Sequence, residues 1–217
     1  FAGCEKELHA PEEPELKIAV LEQFMGVRCA SCVDAQAKAQ AFADANPGKV
    51  IIINIHTGAD AEPQSGWPDF ITAFGKAIAD SSNLSGYPAA QMNRTLFVGK
   101  FSEPPYYKQK DNSMAIGAIG YSNAGTKIIG ESSPVNIGMS TNWKEGSRKL
   151  EVTIQLLYTE TETTTNSLNV VLVENVIGKQ ASAGDAYSHK NVLRHMLTGQ
   201  WGETVEETTK DSKAKKS

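Results

Sequence analysis

The sequence predicts an α/β domain that is followed by a small antiparallel β-sandwich-like domain. Up to about residue 98, strand-like and helix-like segments follow one another in the order strand, helix, strand, helix, turn and strand. That order is typical of a layered α/β domain. Beyond Pro134, apolar and polar residues alternate with a period of two, which indicates antiparallel strands that are buried on one face. We therefore expect the first domain to span residues 16–133 and the second to span residues 134–202.

Apolar periodicity predicts the elements of the first domain. The segment 16–25 (LKIAVLEQFM) has the aliphatic content of a buried strand. Residues 32–46 are rich in alanine and carry apolar positions at helical spacing, which predicts a helix. Residues 49–56 (KVIIINIH) are apolar on both faces, as in an interior strand. A second helix is predicted at 68–79, and a third strand at 91–98.

The second domain is predicted from rows of alternating apolar residues. The rows are Val135, Ile137, Met139 and Trp143; Leu150, Val152, Ile154, Leu156 and Tyr158; and Leu168, Val170 and Leu172. A terminal amphipathic helix is predicted at Tyr187–Leu197. The charged, Ser/Thr-rich residues 203–217 are expected to form a mobile tail. Residues 99–133 have no periodicity from which an element can be predicted.

Composition and charge exclude two classes of protein. The 217 residues carry a net charge of −4 with a pI near 5.6, and Lys and Arg form no basic stripe. Phosphate binding needs clustered Lys and Arg, so we expect no nucleic-acid partner. No apolar run approaches the roughly 20 residues that a membrane-spanning helix needs.

The first residues are typical of the end of a bacterial lipoprotein signal. The tetrapeptide FAGC supplies an apolar residue, two small residues and Cys4, whose thiol would take the lipid. Residues 5–15 are polar and acidic with two prolines, a composition expected of a tether and not of a core. We therefore predict a tether over residues 1–15 and a membrane anchor at Cys4. The alternative is an ordinary N-terminus with a stray cysteine.

Cys29 and Cys32 form a C-x-x-C pair where the first predicted helix begins. At a helix N-terminus, unpaired N–H groups and the helix dipole stabilise a thiolate, so Cys29 is the candidate attacking thiol. Cys32, one turn further on, is the candidate resolving thiol. A zinc site would need two more ligands, and His56, His189 and His195 are too scattered to supply them, so we predict no metal and no cofactor. A purely structural disulfide is the alternative.

Three segments resemble the thioredoxin superfamily: VLEQFMGVRCASC, IIINIHTGAD and GYPAAQMNRTLF. In that superfamily a cis-proline faces the cysteine pair, and Pro88 stands in the corresponding place. The resemblance implies a thioredoxin-like fold for residues 16–133, with Cys29 and Cys32 as the catalytic pair. It also implies that Pro88 clamps the substrate backbone, that Tyr87 binds substrate, and that the partners are protein or peptide thiols and disulfides.

More narrowly, the chain is similar to the Bacteroidetes outer membrane protein 28-related family. The matching segments run from about residue 20 to residue 203 and include SPVNIG, LVENVIGKQ and YSHKNVLRHMLTGQWGE. That family combines a thioredoxin-like domain with a β-rich C-terminal part and occurs on exported envelope proteins, often lipoproteins. The resemblance implies a lipid-anchored location in the outer membrane or the periplasm.

The sequence departs from the thioredoxin pattern around the cysteine pair. Arg28 stands where tryptophan is usual, although its charge would favour a thiolate, and Ala-Ser replaces Gly-Pro between the cysteines. The buried acid that moves the resolving thiol's proton aligns with Gln23, which cannot accept a proton. Alternation along the strand points Glu22 to the other face. Two functions therefore stay open: thiol–disulfide exchange, or a non-catalytic surface protein whose disulfide is structural and whose β-rich part binds a partner.

Overall fold

The computed structural model describes residues 8–97 and 113–217. The chain divides into two compact units. The large unit comprises Ile18–Gly130 and Asn169–Gly202, and the small unit comprises Phe1–Lys17, Glu131–Leu168 and Glu203–Ser217. Within the described ranges, no helix has the length and apolar character needed to cross a membrane.

Ten strands and three α-helices are numbered in chain order within the described residues. The strands are β1 (Ala19–Met25), β2 (Val50–His56), β3 (Ala89–Met92), β4 (Val135–Lys144), β5 (Lys149–Tyr158), β6 (Asn166–Leu168), β7 (Val171–Gln180), β8 (Gly184–Met196), β9 (Glu203–Val205) and β10 (Lys213–Lys216). The helices are α1 (Cys32–Ala45), α2 (Ala73–Ser81) and α3 (Tyr121–Ile128).

The large unit is a mixed five-stranded sheet in the order β3-β1-β2-β8-β7. β1 pairs in parallel with β2, and β2 with β8, whereas the edge strands β3 and β7 are antiparallel to their neighbours. Helices cover both faces, which we call the α1 face and the α2 face. The α1 face buries Leu21, Ala39, Ile52 and Tyr121, and the α2 face buries Phe24, Ile55 and Ile78. Burial of each Leu, Ile or Phe side chain among them stabilises the fold by about 1.5–3 kcal/mol, so apolar burial holds the sheet from both sides.

The predicted strand–helix–strand start is confirmed by β1, α1 and β2, with small differences at their ends. The second helix begins at Ala73 and not at residue 68, because the Thr72 hydroxyl accepts a bond from Gly75 N at 3.0 Å and caps the helix. The third strand ends at Met92, because the next two residues adopt left-handed φ angles of 48° and 47° that no strand accommodates.

The predicted terminal helix at Tyr187–Leu197 is wrong, because these residues lie almost entirely in strand β8. β8 lies between β2 and β7 and pairs with both. Its buried residues include His189, Val192, Leu193 and Met196, a spacing that imitates one face of a helix. Both faces of the sheet are covered, so the adjacent residues Val192 and Leu193 are both buried, in different clusters. A β-bulge adds to the irregular spacing: Asn191 has a φ of 50°, and the register with β7 shifts opposite this point.

Residues 169–202 return to the large unit, so the predicted domain 134–202 is not a separate body. The physical reason is the pairing of β8 with β2, which completes the sheet of the large unit. The predicted boundary near residue 133 marks only one of the places where the chain passes between units. The predicted mobile tail at 203–217 instead contains β9 and β10, which pair with β6 and β5.

The small unit consists of antiparallel strands, as the period-two alternation predicts. One sheet has the order β10-β5-β4, and β6 pairs with β9 in a second. The described end of the predicted tether packs on this unit. Ala10 N donates to Gln155 Oε1 at 2.7 Å, and Asn136 Nδ2 donates to the carbonyls of Pro11 at 2.8 Å and Glu13 at 2.6 Å. Hydrogen bonds to their backbone, together with the burial of Ala10, thus fix these residues on the small unit.

Candidate functional site

Cys29 and Cys32 form a disulfide at the start of α1. β1 ends at Met25, the loop 26–28 follows, and Cys32 is the first residue of the helix. Cys32 N donates to Cys29 O at 3.3 Å and closes the turn between them. Met25 packs with both cysteines in a buried cluster. The structure therefore places the pair in the strand–loop–cysteine–helix order that the sequence predicts.

The disulfide is shielded, although the residues between the two cysteines are open to solvent. Cys29 is 4% exposed and Cys32 is 0% exposed, whereas Ala30 and Ser31 are exposed. Ser31 is the N-cap of α1, but its side chain caps no N–H group of the described helix. Its Oγ lies 3.6 Å from Cys29 Sγ instead. Cys32 N donates to Cys29 O, and the Ser31 side chain leaves the other first-turn N–H groups of α1 uncapped. The start of the helix therefore favours a negative charge that develops on Cys29.

The loop 26–28 rests on residues 59–61. The Arg28 guanidinium donates to Ala59 O, and Arg28 N donates to Asp60 O at 3.0 Å. A Cβ at Gly26 would lie 2.5 Å from the Asp60 carbonyl carbon, so only glycine allows this approach. Arg28 is therefore held in place close to Cys29. Its electrostatic effect on a thiolate stays a prediction.

Pro88 lies directly before β3, the strand that pairs with β1. The Tyr87–Pro88 peptide bond is cis. Ala89 is the register partner of Phe24, which precedes Met25 at the end of β1. Because Met25 packs on both cysteines, the topology places Pro88 toward the end of β1 that leads to the cysteine pair.

Tyr87 lies against Gly58 and is partly buried against the apolar cluster of the α2 face. Gly58 has a φ of 75°, and a Cβ at this position would overlap the Tyr87 ring. Residue 58 therefore combines a left-handed backbone with a close ring contact, and both require glycine. The sequence-predicted substrate-binding residue thus sits next to the segment 59–61 that supports Arg28.

Gln23 and Glu22 point to opposite faces of the sheet, as the alternation predicts. Gln23 is 0% exposed, and its Nε2 donates to Tyr121 Oη at 3.4 Å. Burial raises the pKa of the Tyr121 phenol, so this hydroxyl stays protonated. Glu22 lies on the α2 face, where Arg94 NH2 donates to its Oε1 at 2.7 Å. The strand therefore supplies no carboxylate on the face that carries the cysteines.

Sequence reasoning missed the contribution of β7 and β8 to the cysteine site. Gln180 Nε2 donates to Cys29 O at 2.9 Å and to Gly26 O at 3.3 Å. The Tyr187 hydroxyl donates to Gln36 Oε1 of α1 at 2.7 Å. No local pattern signals either contact, because both join residues about 150 positions apart, and the predicted helix at 187–197 hid the strand that makes them.

Two buried histidines lie on the α1 face near this end of β1. His56 is the register partner of Met25 and is 2% exposed. Its ring centroid lies 5.7 Å from that of His189 and 4.9 Å from that of Phe70. Burial, assisted by His189 and Arg194, lowers the pKa of His56 to about 3, so the ring is neutral. In residues 8–97 and 113–217, no three His, Cys, Asp or Glu side chains are grouped as metal ligands.

Cys4, the predicted lipid-attachment residue, lies outside the described residues. The structure joins Cys29 and Cys32 in a disulfide that packs on Met25, and it places Pro88 directly before β3, whose last register pair is Phe24 and Ala89. Tyr87 is fixed by its peptide bond to Pro88 and by the contact with Gly58.

A mixed α/β protein with a disulfide at a helix N-terminus is the class that these observations define. No family model matches the chain, and no curated protein matches it. Solved structures of similar fold include HBP35 of Porphyromonas gingivalis, with a TM-score of 0.64 and 20% identity over 93% of this chain. The chain spans 64% of HBP35, which is less than two thirds of its length. Protein AGR_C_4864 from Agrobacterium tumefaciens matches 93% of this chain and 78% of its own, with a TM-score of 0.51 and 17% identity. These likenesses concern the fold.

Proposed function

We propose that the large unit is a thioredoxin-like domain that exchanges disulfides with protein or peptide thiols. The observation that carries the proposal is the Cys29–Cys32 disulfide at the N-terminus of α1, after β1 and a short loop, with Pro88 directly before the strand that pairs with β1. Helix N-termini stabilise thiolates, and a thiolate is the attacking species in exchange. The similar fold of HBP35 is compatible with this assignment.

In the proposed reaction the reduced Cys29 thiolate attacks one sulfur of a substrate disulfide. The substrate S–S bond breaks, its second sulfur leaves as a thiolate, and a mixed disulfide forms. The Cys32 thiolate then attacks Cys29 Sγ, releases the second substrate thiol and re-forms the Cys29–Cys32 bond. Two electrons pass from the dithiol to the substrate, and two protons follow to the released thiols. Pro88 and Tyr87 would hold the substrate backbone beside Cys29.

The α1 face sets a limit on the second step. Cys32 is fully buried, and Gln23, at the aligned position of the acid, offers no proton acceptor. The buried His56 ring, whose pKa is about 3, is a weak base. We therefore expect Cys32 to lose its proton slowly. The second step should then be slower than the first, and mixed disulfides with substrate should accumulate.

We further propose that the protein belongs to the cell envelope, lipid-anchored at Cys4 in the outer membrane or the periplasm. The FAGC tetrapeptide and the polar residues after it support this, as does the similarity to the Bacteroidetes outer membrane protein 28-related family. The test is metabolic labelling with a radioactive fatty acid in cells that make the natural precursor. Label should enter the protein and be lost in Cys4→Ala. Equal labelling of that variant would contradict the anchor.

The exchange test uses turnover of a disulfide-bonded peptide by the protein with dithiothreitol as the reductant. Cys4→Ser is placed in every variant so that only the pair carries thiols. Cys29→Ser should abolish protein-dependent turnover, whereas Cys32→Ser should accumulate a mixed disulfide that mass spectrometry detects. Ser147→Ala, an exposed change in the small unit that keeps both cysteines, serves as the control and should retain turnover. Turnover that is unchanged in Cys29→Ser would reject the exchange function.

The second candidate is a non-catalytic surface protein whose disulfide is structural and whose β-rich part binds a partner. The observation that favours it is the burial of both cysteines, 4% and 0% exposed. It predicts that reducing the disulfide lowers the melting temperature while no exchange occurs at any dithiol concentration. Trapping of substrate by Cys32→Ser would reject this candidate.

A further inference from the structure

Residues at the turn between β7 and β8 form hydrogen bonds with the loop that carries Cys29. Gln180, the last residue of β7, is 1% exposed, and its Nε2 donates to Cys29 O at 2.9 Å and to Gly26 O at 3.3 Å. The next residue, Ala181, donates its N–H to Val27 O at 2.8 Å. Three hydrogen bonds thus join this turn to the short loop between β1 and α1.

The orientation of the Gln180 amide follows from its partners. Both acceptors are carbonyl oxygens, so Nε2, which carries two hydrogens, must face them; the opposite orientation would set three oxygens against one another. Gln180 Oε1 is buried and has no partner among the described residues. An unpaired buried carbonyl destabilises the fold, and a methionine would fill similar space without it. The two hydrogen bonds to Cys29 O and Gly26 O are therefore the contribution of a glutamine at this position.

The Cys29 carbonyl oxygen accepts two hydrogen bonds. It accepts Cys32 N at 3.3 Å, which closes the turn between the cysteines, and it accepts Gln180 Nε2 at 2.9 Å. While the disulfide is closed, the S–S bond also fixes Cys29. Once that bond opens, the hydrogen bonds from Gln180 and Ala181 add to the bond from Cys32 N in keeping the backbone of Cys29 at the N-terminus of α1.

We propose that Gln180 is a positioning residue that keeps the Cys29 sulfur over the start of α1 when the pair is reduced. The inference rests on the redox cycling of the pair in the proposed function. Opening the S–S bond takes two electrons and two protons from a dithiol such as dithiothreitol, which becomes a cyclic disulfide. The Cys29 thiolate so formed is stabilised by the helix N-terminus only while the loop holds it there. Without Gln180 the reduced form loses part of this stabilisation.

The test compares Gln180→Met with a parent protein. Both are the full chain, and both carry Cys4→Ser. The pKa of Cys29 is measured from thiolate absorbance against pH, and the dithiol–disulfide ratio is measured in glutathione buffers. We expect the Cys29 pKa of the variant to rise toward about 8.5. The equilibrium should shift toward the disulfide by about three- to tenfold.

Gln155→Met is the matched control, because the Gln155 side chain also bonds a backbone group far away in sequence, accepting from Ala10 N at 2.7 Å, but in the small unit. It should move neither readout. A Gln180→Met protein that melts at a lower temperature while its Cys29 pKa and its glutathione equilibrium stay within twofold of the parent would overturn the proposal, because a merely structural role has that signature.

If Gln180→Met does not fold, a measurement on the parent protein still tests the positioning role of Gln180. Its Gln180 side-chain amide protons should exchange slowly with solvent by NMR in both the disulfide and the dithiol form, and fast exchange in the dithiol form would overturn the inference. The peptide turnover assay separates this inference from the proposed function. A shifted equilibrium in the variant with no turnover by the parent supports the positioning role and rejects the exchange function.

Discussion

The two faces of the large unit's sheet differ in how they treat buried polar groups. On the α2 face, Glu22 accepts bonds from Arg94 at 2.7 Å and from Gln91 at 2.5 Å, and Gln91 accepts one from Ser82 at 2.7 Å. On the α1 face, Gln23 Oε1, Asn54 Oδ1 and both ring nitrogens of His56 have no hydrogen-bond partner within the described ranges.

The paired and the unpaired polar groups affect the stability of the sheet in opposite ways. A buried polar group without a partner costs about 1–3 kcal/mol, whereas a fully paired network specifies one arrangement. The α1 face, where the unpaired atoms lie, is also the face against which the cysteine-bearing helix packs. The buried polar groups of the α2 face thus form a paired network, whereas the unpaired atoms of the α1 face offset part of the stability that apolar burial supplies there.

The largest effect is expected from breaking the paired network. Arg94→Met leaves the Glu22 carboxylate, whose side chain is 6% exposed, without its cation. Loss of one partner of a buried pair costs about 3–5 kcal/mol, measured as the free energy of unfolding in urea. Lys76→Met, which removes the exposed partner of Asp80, is the control and should change stability little. Equal losses in the two variants would contradict the contrast between buried and exposed pairs.

The free energy of unfolding should fall at low pH because of the buried His56 ring on the α1 face. Burial, His189 and Arg194 lower the pKa of His56 from 6.5 to about 3. Folding therefore favours the neutral ring: this stabilisation is complete above about pH 6.5 and is lost as the pH falls toward 3. From about pH 7.5 to about pH 4, the parent should lose about 3 kcal/mol more than His56→Gln.

Urea unfolding at each pH measures this difference. His195→Gln is the matched control, because His195 is an exposed histidine of the same sheet. It should follow the pH dependence of the parent. If His56→Gln also follows the parent, the buried ring makes no such contribution.

The packing of the α1 face should tolerate little added volume. A Cβ at Gly125 of α3 would overlap the Phe42 ring of α1, so Gly125→Ala forces a side chain to move. Overpacking of this kind costs about 1–3 kcal/mol, partly offset by the better helix propensity of alanine. At Gly130 the nearest atom to a Cβ is Thr126 O at 3.6 Å, an ordinary contact. Thermal unfolding should therefore show a loss in Gly125→Ala and none in Gly130→Ala.

The smallest expected effect compares the two helix N-caps. Thr72 caps α2 through its bond from Gly75 N, so Thr72→Ala should cost about 1 kcal/mol of unfolding free energy. The Ser31 side chain makes no capping bond to the described part of α1, so Ser31→Ala should cost less. The two substitutions are chemically alike, and a larger loss at Ser31 would reverse the assignment of the caps.

Local patterns predicted the first part of the large unit because its elements are set by nearby residues. The apolar residues of β1 and β2 and the alanine-rich α1 place the cysteine pair correctly from the sequence alone. The antiparallel hairpin of β4 and β5 is predictable for the same reason, since its alternation is regular.

Long-range pairing explains what the sequence did not predict. Burial on both faces and the bulge at Asn191 give β8 the apolar spacing of a helix, and only its pairing with β2 and β7 identifies it as a strand. The hold of Gln180 on Cys29 spans 151 positions and has no local signature. The cysteines of the candidate site were thus predictable, whereas the residues that support them from β7 and β8 were not.

The central position of β8 has a consequence for how the protein is made. During synthesis β2 has no second neighbour until residue 196 has left the ribosome, and until then its open edge can pair with another nascent chain. A shortened protein that stops near residue 133 would expose the same edge permanently. The cysteine-bearing half of the large unit therefore cannot be excised as a folded unit by a single cut of the chain.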